Sequence, residues 1–172
     1  MKSYFASKLT EHDVNRFGYP IGSPDGQQIW EALAILVAVD IWHGEWTQQR
    51  IQLKIKGDNV TALTLMIKMR PKGPIMAIVA RELALRLARL SFPPDAIHTP
   101  GLAHIAADRL SRVFSPEGTG RASADLHHSL QNVVEVKAPV RDDSYYVAEI
   151  HGAADKSATA EDEWVPWSGI DY

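Results

Sequence analysis

The sequence predicts an α/β fold with at least one pair of parallel strands. Apolar residues recur at helical spacing between residues 28 and 43, which predicts a long amphipathic helix. Residues 51–56 alternate between apolar and polar side chains, which predicts a half-buried strand. The full predicted order is strand, helix, strand, helix, helix, strand, helix, and this alternation is typical of a layered sheet with crossover connections.

The elements before the long helix are predicted to be short. A β-prone run at residues 4–7 is followed by Thr10, whose side chain can cap a helix that begins near it. Residues 18–26 contain three glycines and two prolines, so they predict a loop. The helix over residues 28–43 follows this loop, and Gly44 is expected to end it.

The strand at residues 51–56 has a positive exposed face, because Lys54 and Lys56 lie on it. Asp58 or Asn59 can cap the helix that follows. The chain then continues with a helix from Val60, a break at residues 71–74, a helix from Ile75 to about Leu90, a turn at residues 93–95, a short strand over residues 96–99 and a final helix from His104 to about Phe114.

The composition changes after Ser115. Residues 116–172 are rich in Gly, Ser, Ala and Asp, and they contain one β-prone patch at residues 144–150. This composition predicts a loosely ordered acidic tail or linker, which follows a domain that spans residues 1–115.

The net charge is −3, and the charged residues are unevenly distributed along the chain. Residues 48–115 carry 11 Lys and Arg against 4 Asp and Glu, whereas residues 116–172 carry 4 against 11. A basic central segment suits a polyanion such as nucleic acid, although an ordinary solvated surface explains the same charge. The chain has no cysteine, which excludes disulfides and thiolate metal ligands, and no apolar run of membrane-spanning length, so no membrane partner is expected.

The stretch from Ile97 to Val113 carries the clearest chemical motif. His98 precedes Asp108 by ten residues, with Pro100-Gly101 between them and Leu-Ser-Arg shortly after. This spacing brings a histidine on a turn close to a carboxylate on the following helix. Metal-dependent nucleases use such groups to bind a metal ion and to move protons.

Two earlier carboxylates complete a candidate cluster. Glu31 lies near the start of the long helix, and Asp58 follows a strand at the end where α/β sheets bind ligands. Taken singly, each acid has an ordinary explanation: Glu31 favours a helix N-terminus, Asp58 caps a helix, and Asp108 lies on an exposed helix face. Together with His98 they form a set that suits a hard divalent ion such as Mg²⁺.

These residues carry a resemblance to a known family. The segments WEALA at residues 30–34, KGDN at 56–59 and HTPG…ADRLSR at 98–112 are similar to the RNase H-like domain that follows reverse transcriptase in gypsy-type and related retroelement polyproteins. The resemblance covers about residues 3–115, and YFAS at residues 4–7 agrees with the strand before the family's first helix. It implies the RNase H fold, a three-layer arrangement of a mixed sheet and helices.

The resemblance also implies an activity, which is cleavage of the RNA strand of RNA–DNA hybrids with two Mg²⁺ (or Mn²⁺) ions. It assigns Glu31, Asp58 and Asp108 as metal ligands. It assigns His98 as the mobile residue that transfers protons or assists product release.

The partners that the resemblance implies are an RNA–DNA hybrid and the upstream reverse transcriptase domain. Asn59 would contact the sugar–phosphate backbone, unless it serves only as a helix cap. The basic strand face of Lys54 and Lys56 is expected to contact nucleic acid as well. Products of such elements work in the cytoplasm and in the nucleus, so the resemblance does not select a compartment.

The chain departs from the family pattern at its start. The family's first acidic ligand lies on a strand upstream of the one matched by residues 4–7, and the first two strands of the family sheet are therefore expected to be absent. The strand at residues 51–56 would then lose a neighbour, and a metal site with fewer charges would bind ions more weakly. Asp13 and Asp25 lie in turn-rich segments and are not expected to replace the missing ligand.

Three interpretations follow. The chain is a fragment of a retroelement polyprotein whose own cleavage activity is weak or lost, or it is a nucleic-acid-binding module that keeps the scaffold without the chemistry. The third interpretation is an unrelated α/β domain whose motif matches are accidental. Affinity for a hybrid that persists in EDTA would favour the second, whereas affinity that requires Mg²⁺ would indicate a nuclease site.

Overall fold

Helices and short parallel strands alternate in the structure, a computed structural model that describes residues 2–46, 52–88, 94–100, 105–114 and 124–146. The strands are β1 (Ser3–Tyr4), β2 (Lys54–Gly57), β3 (Asp95–His98) and β4 (Val134–Glu135). The helices are α1 (Glu11–Phe17), α2 (Gln27–Trp46), α3 (Val60–Lys68), α4 (Pro74–Leu87), α5 (Ile105–Arg112) and α6 (Ala124–Ser129), with short 3₁₀ helices at Pro24–Gly26 and Asp143–Tyr145. The predicted α/β class is confirmed.

Two helix starts are fixed by side chains that the sequence analysis identified as possible caps. The Thr10 hydroxyl accepts a hydrogen bond from the Asp13 backbone N–H at 3.2 Å, and the Asp13 carboxylate accepts one from the Thr10 backbone N–H at 2.8 Å. At the start of α3, the Asn59 side-chain oxygen accepts a hydrogen bond from the Ala62 N–H at 3.0 Å. Both caps satisfy backbone donors that have no partner within their helix.

The long helix α2 is the central element of the apolar core. Helices α3 and α4 both pack against it, and the three helices bury one continuous cluster of aliphatic side chains. Burying one such side chain stabilises a fold by about 1.5–3 kcal/mol. The cluster includes Ile29, Ala32, Leu33, Leu36, Val37 and Val39 of α2, Ala62, Leu65 and Met66 of α3, and Met76, Val79 and Leu83 of α4. Helix α2 runs to Trp46, two residues beyond the expected end at Gly44, since a glycine weakens a helix by only about 1 kcal/mol.

Strands β2 and β3 form the parallel pair that the alternation of elements predicts. Lys54 lies opposite Asp95, and Gly57 lies opposite His98. The pairing continues past the strand ends, because the Thr99 N–H donates a hydrogen bond to the Gly57 carbonyl at 2.8 Å. The pair packs against α3, which places the carboxyl ends of both strands beside the start of that helix.

A second parallel pair joins the two ends of the described chain. Strand β1 pairs with β4, and the Val136 N–H donates a hydrogen bond to the Tyr4 carbonyl at 2.8 Å. Among the described strands, the β1–β4 and β2–β3 pairs are separate two-stranded sheets rather than one mixed sheet.

Residues 124–146, which were expected to be loosely ordered, contribute to the core. Tyr145 and Tyr146 are buried in the main apolar cluster, and Arg141 is 7% exposed. The average composition of the segment does not predict this packing, because the few buried residues lie among polar ones. They also contact parts of the chain that are distant in sequence. The β-prone patch predicted over residues 144–150 begins within a 3₁₀ helix, Asp143–Tyr145, and its residues from 147 onward lie outside the described part of the chain. The remainder of the predicted tail lies outside the described residues.

A buried ion pair attaches this segment to the N-terminal part of the chain. The Arg141 guanidinium donates hydrogen bonds to both oxygens of Asp13, the shortest at 2.8 Å, and also to the Ser7 hydroxyl and the Lys8 carbonyl, each at 2.9 Å. Burial alone would raise the pKa of Asp13, but the hydrogen bonds from Arg141 and Thr10 outweigh burial and hold that pKa below its ordinary value. The bidentate geometry therefore compensates for the desolvation of both charges.

Replacement of Arg141 is expected to destabilise the protein strongly. Arg141→Ala leaves the fully buried carboxylate of Asp13 without its cation, and breaking such a pair costs about 3–5 kcal/mol. Urea denaturation at pH 7 measures this loss. The matched control is Arg109→Ala, which removes an exposed pair with Asp125 and should cost at most about 1 kcal/mol.

The loss of stability in Arg141→Ala should depend on pH, because it arises from an ion pair. Because the folded-state pKa of Asp13 is lowered, the stabilisation from the pair is complete above the ordinary pKa of about 4 and is lost as the pH falls through the lower folded-state value. The difference between wild type and Arg141→Ala should therefore shrink in acid. A difference that stays constant from pH 7 to pH 2 would contradict the assignment.

Candidate active site

Glu31 lies near the N-terminal end of α2 and is half-buried. The adjacent residues Ala32 and Leu33 belong to the core, so the backbone of Glu31 is held on a rigid element. Burial raises the pKa of the Glu31 carboxyl, and the negative charge of Asp58 raises it further. The charge of Asp58 thus acts on the Glu31 carboxyl, whereas their assignment to one metal site stays a prediction.

Asp58 and His98 lie at the same edge of the β2–β3 pair. Asp58 directly follows β2, and His98 is the last residue of β3, opposite Gly57. Both side chains are exposed. Side chains alternate between the two faces of a strand, so His98 lies on the same face as Ala96, which packs against the core. His98 is therefore at the carboxyl edge of the pair, on the side covered by helices.

This arrangement suits a hard divalent cation. Two neighbouring carboxylates repel each other, and a cation between them relieves this repulsion. Mg²⁺ and Mn²⁺ prefer oxygen ligands, which carboxylates supply. Glu31 and Asp58 are the residues that could hold such an ion. His98, at the adjoining strand end, carries an imidazole, a side chain that can accept or donate a proton.

Asp108 has a different partner in the structure. It lies on α5, where its Oδ1 accepts hydrogen bonds from the Arg112 guanidinium at 2.9 and 3.1 Å. Within the described ranges, no group of three or more His, Asp or Glu side chains is arranged to hold a metal ion. An electrostatic interaction therefore relates Glu31 to Asp58, but in that part of the chain Asp108 does not join them in a three-ligand group.

The three residues predicted to contact nucleic acid differ in their surroundings. Lys54 and Lys56 are exposed on β2, and they alternate with residues that face the core, as the sequence pattern predicts. Lys54 lies opposite Asp95, whereas Lys56 lies opposite Ile97. Asn59 uses its side-chain oxygen to cap α3, so the capping explanation of this residue is confirmed. Its contact with a nucleic acid backbone stays a prediction.

A buried cluster beside the core was not anticipated from the sequence. Arg86 donates hydrogen bonds to Asp40 at 2.9 Å, to the fully buried Glu82 at 2.5 Å and to the Tyr145 carbonyl at 3.2 Å. The spacing of Glu82 and Arg86, four residues apart on one helix, is a signal that could have identified their pairing. Nothing local identifies Asp40 as the third member. The cluster connects α2, α4 and the segment that ends at Tyr146, which is a structural role.

No family model matches the chain, and neither a curated protein nor a solved structure matches it significantly. None of the described helices is both long enough and apolar enough to cross a membrane.

Replacement of Asp58 is expected to lower the pKa of Glu31. Asp58→Asn removes the neighbouring negative charge, but the pKa should stay above its ordinary value because burial is the larger cause of the shift. Side-chain carboxyl chemical shifts, followed by NMR during a pH titration, measure the change. Asp95→Asn, at the opposite end of the same strand pair, is the control, and an equal response to both substitutions would contradict the proximity of Glu31 and Asp58.

Replacement of Glu31 is expected to stabilise the fold at neutral pH. A raised folded-state pKa means that folding disfavours the ionised carboxyl, so stability is highest below the ordinary pKa of about 4.3 and declines as the pH rises through the folded-state value. Glu31→Gln removes this penalty at pH 7 and changes little in acid. Thermal denaturation at several pH values tests the difference, with Glu45→Gln, exposed near the other end of α2, as the control. A destabilised Glu31→Gln protein at pH 7 would contradict the pKa direction.

Proposed function

We propose that this chain is an RNase H-like domain of a retroelement polyprotein, that it binds RNA–DNA hybrids, and that its own metal-dependent cleavage is weak or lost. The observation that carries the proposal is the interaction of Glu31 with Asp58 at the carboxyl edge of a parallel strand pair. His98 lies at the same edge, on the neighbouring strand. The motif order in the sequence and the α/β order of elements agree with this assignment.

The candidate residues have distinct roles in this proposal. Glu31 and Asp58 would hold the divalent ion, and His98 would move a proton at the scissile phosphate. When bound, the ion would polarise the phosphate and lower the pKa of an attacking water. Weak activity is expected because the family holds its ions with four acidic residues, and two carboxylates offset the cost of dehydrating an ion less well. In addition, Asp108 is paired with Arg112.

A second candidate function is binding without chemistry, and the exposed basic face of β2 favours it. Lys54 and Lys56 project from the same face of the strand, where they can pair with phosphates and release counterions. Hybrid duplexes would be selected by backbone shape and 2′-hydroxyl contacts rather than by base sequence. The upstream reverse transcriptase domain of such a polyprotein is the protein partner that the proposal implies.

Binding to a fluorescently labelled RNA–DNA hybrid, measured by anisotropy in EDTA, separates these functions. Affinity is expected to persist in EDTA and to fall with salt. Lys54→Ala/Lys56→Ala should reduce the slope of log affinity against log salt by up to about two units, roughly one for each phosphate that is no longer neutralised. Lys8→Ala/Lys137→Ala removes two exposed charges elsewhere and controls for net charge. Equal slopes for the two double variants would contradict binding through β2.

Cleavage of the same hybrid in Mg²⁺ tests the residual chemistry. Only slow product formation is expected, and Glu31→Gln should abolish it if Glu31 holds the ion. Cleavage by the wild type at ordinary enzyme rates, with a turnover of about 10 s⁻¹, would overturn the view that activity is weak or lost. Cleavage that is unchanged in Glu31→Gln would contradict the site itself.

A further inference from the structure

A cavity of about 120 Å³ lies between α3 and α4 and has no role in the site described above. Its floor is apolar and includes the buried side chains of Leu65 and Met76. Its polar lining consists of Thr61, Thr64, Arg70 and Lys72. The volume equals that of about four water molecules in bulk water, which is enough for one tetrahedral oxyanion.

The arginine of this cavity differs from the other described arginines. Across the described ranges, Arg70 alone among them forms neither an ion pair nor a hydrogen bond through its side chain, and Lys72 also has no such partner. The others bond a carboxylate or a carbonyl: Arg16, Arg81, Arg86, Arg109, Arg112 and Arg141. Two unpaired cations beside one cavity create a positive potential that a bound anion would neutralise.

The two threonines add neutral hydrogen-bond donors. Thr61 and Thr64 are three residues apart on α3, so their side chains lie on the same face of the helix. In the part of the chain that the structure describes, neither hydroxyl has a hydrogen-bond partner. Two hydroxyls, a planar guanidinium and an ammonium form a donor set that matches the oxygens of a phosphate group. No acidic side chain is among the described residues that line the cavity.

We propose that the α3–α4 cavity binds a phosphate group through Arg70, Lys72, Thr61 and Thr64. The phosphate is either one of a nucleic acid backbone, in which case the inference rests on the proposed function, or a free phosphate ion. The first source fits the position of the cavity. Thr61, on the first turn of α3, follows Asp58 by only three residues, so the cavity lining begins close along the chain to the candidate active site.

Titration of the ¹⁵N-labelled protein with inorganic phosphate, at constant ionic strength, tests the cavity directly. Saturable shifts of the Thr61 and Thr64 amide signals are expected in the wild type and should be abolished in Arg70→Ala/Lys72→Ala. Both side chains are exposed, so the double variant should fold. Thr61→Val/Thr64→Val removes the hydroxyls at nearly constant volume and should also weaken the shifts. Lys68→Ala, on the same helix but outside the cavity, should retain them.

The hybrid-binding measurement identifies the source of the phosphate. If the cavity contacts the nucleic acid backbone, Arg70→Ala/Lys72→Ala should reduce the salt slope by about one unit relative to Lys68→Ala. An unchanged slope together with saturable phosphate binding would assign the cavity to a free ion. If the wild type binds phosphate but no hybrid, the proposed function fails and the cavity stands. The proposal is overturned if phosphate gives no saturable shifts, or gives the same shifts in the wild type and the double variant.

Discussion

The packing of α2 against α3 is the contact on which the candidate site depends. Glu31 is carried by α2, while Asp58 lies in the short connection between β2 and α3. Both helices bury apolar residues in one cluster, Leu36 from α2 and Leu65 from α3 among them, and this shared burial fixes the relative position of the two helices. Because interiors are closely packed, this position cannot drift without creating voids. The approach of two like charges is therefore imposed by apolar burial elsewhere, and their repulsion is tolerated because the core outweighs it.

Two buried arginine clusters hold the last described segment in place. Arg141 binds Asp13 of α1, and Arg86 connects Asp40 and Glu82 to the carbonyl of Tyr145. Burying ions is costly, and such pairs stabilise a fold only when their geometry is good and their remaining hydrogen bonds are satisfied. Both arginines meet this condition with three or more donated bonds. These donors also restrict where the segment can pack, since few other positions of the segment would satisfy them.

The sequence predicts the parts of this molecule that depend on near neighbours. The helical spacing of residues 28–43, the alternation that exposes Lys54 and Lys56, and the Asn59 cap each involve residues a few positions apart, and each is found in the structure. The long-range contacts of the last described segment were not predicted. Arg141 and Asp13 are 128 residues apart, and no periodicity or spacing relates them. Because such contacts leave no local signal, the sequence also does not distinguish Glu31, Asp58 and Asp108, whose surroundings differ in the structure.

The acidic residues of the protein differ in how the cost of their burial is compensated. Asp13 and Glu82 are fully buried, and each has an arginine within hydrogen-bond distance. Glu31 is half-buried, has its pKa raised by burial and by Asp58, and forms no ion pair with any described residue. Elsewhere in the described chain, burial of an acid is thus matched by a cationic side chain. At Glu31 no described cation offsets the cost of keeping the carboxyl ionised. Carboxylates with such a cost are common at binding sites, where function rather than stability determines their surroundings. A divalent ion between Glu31 and Asp58 would supply the compensation that arginine supplies at the other two sites.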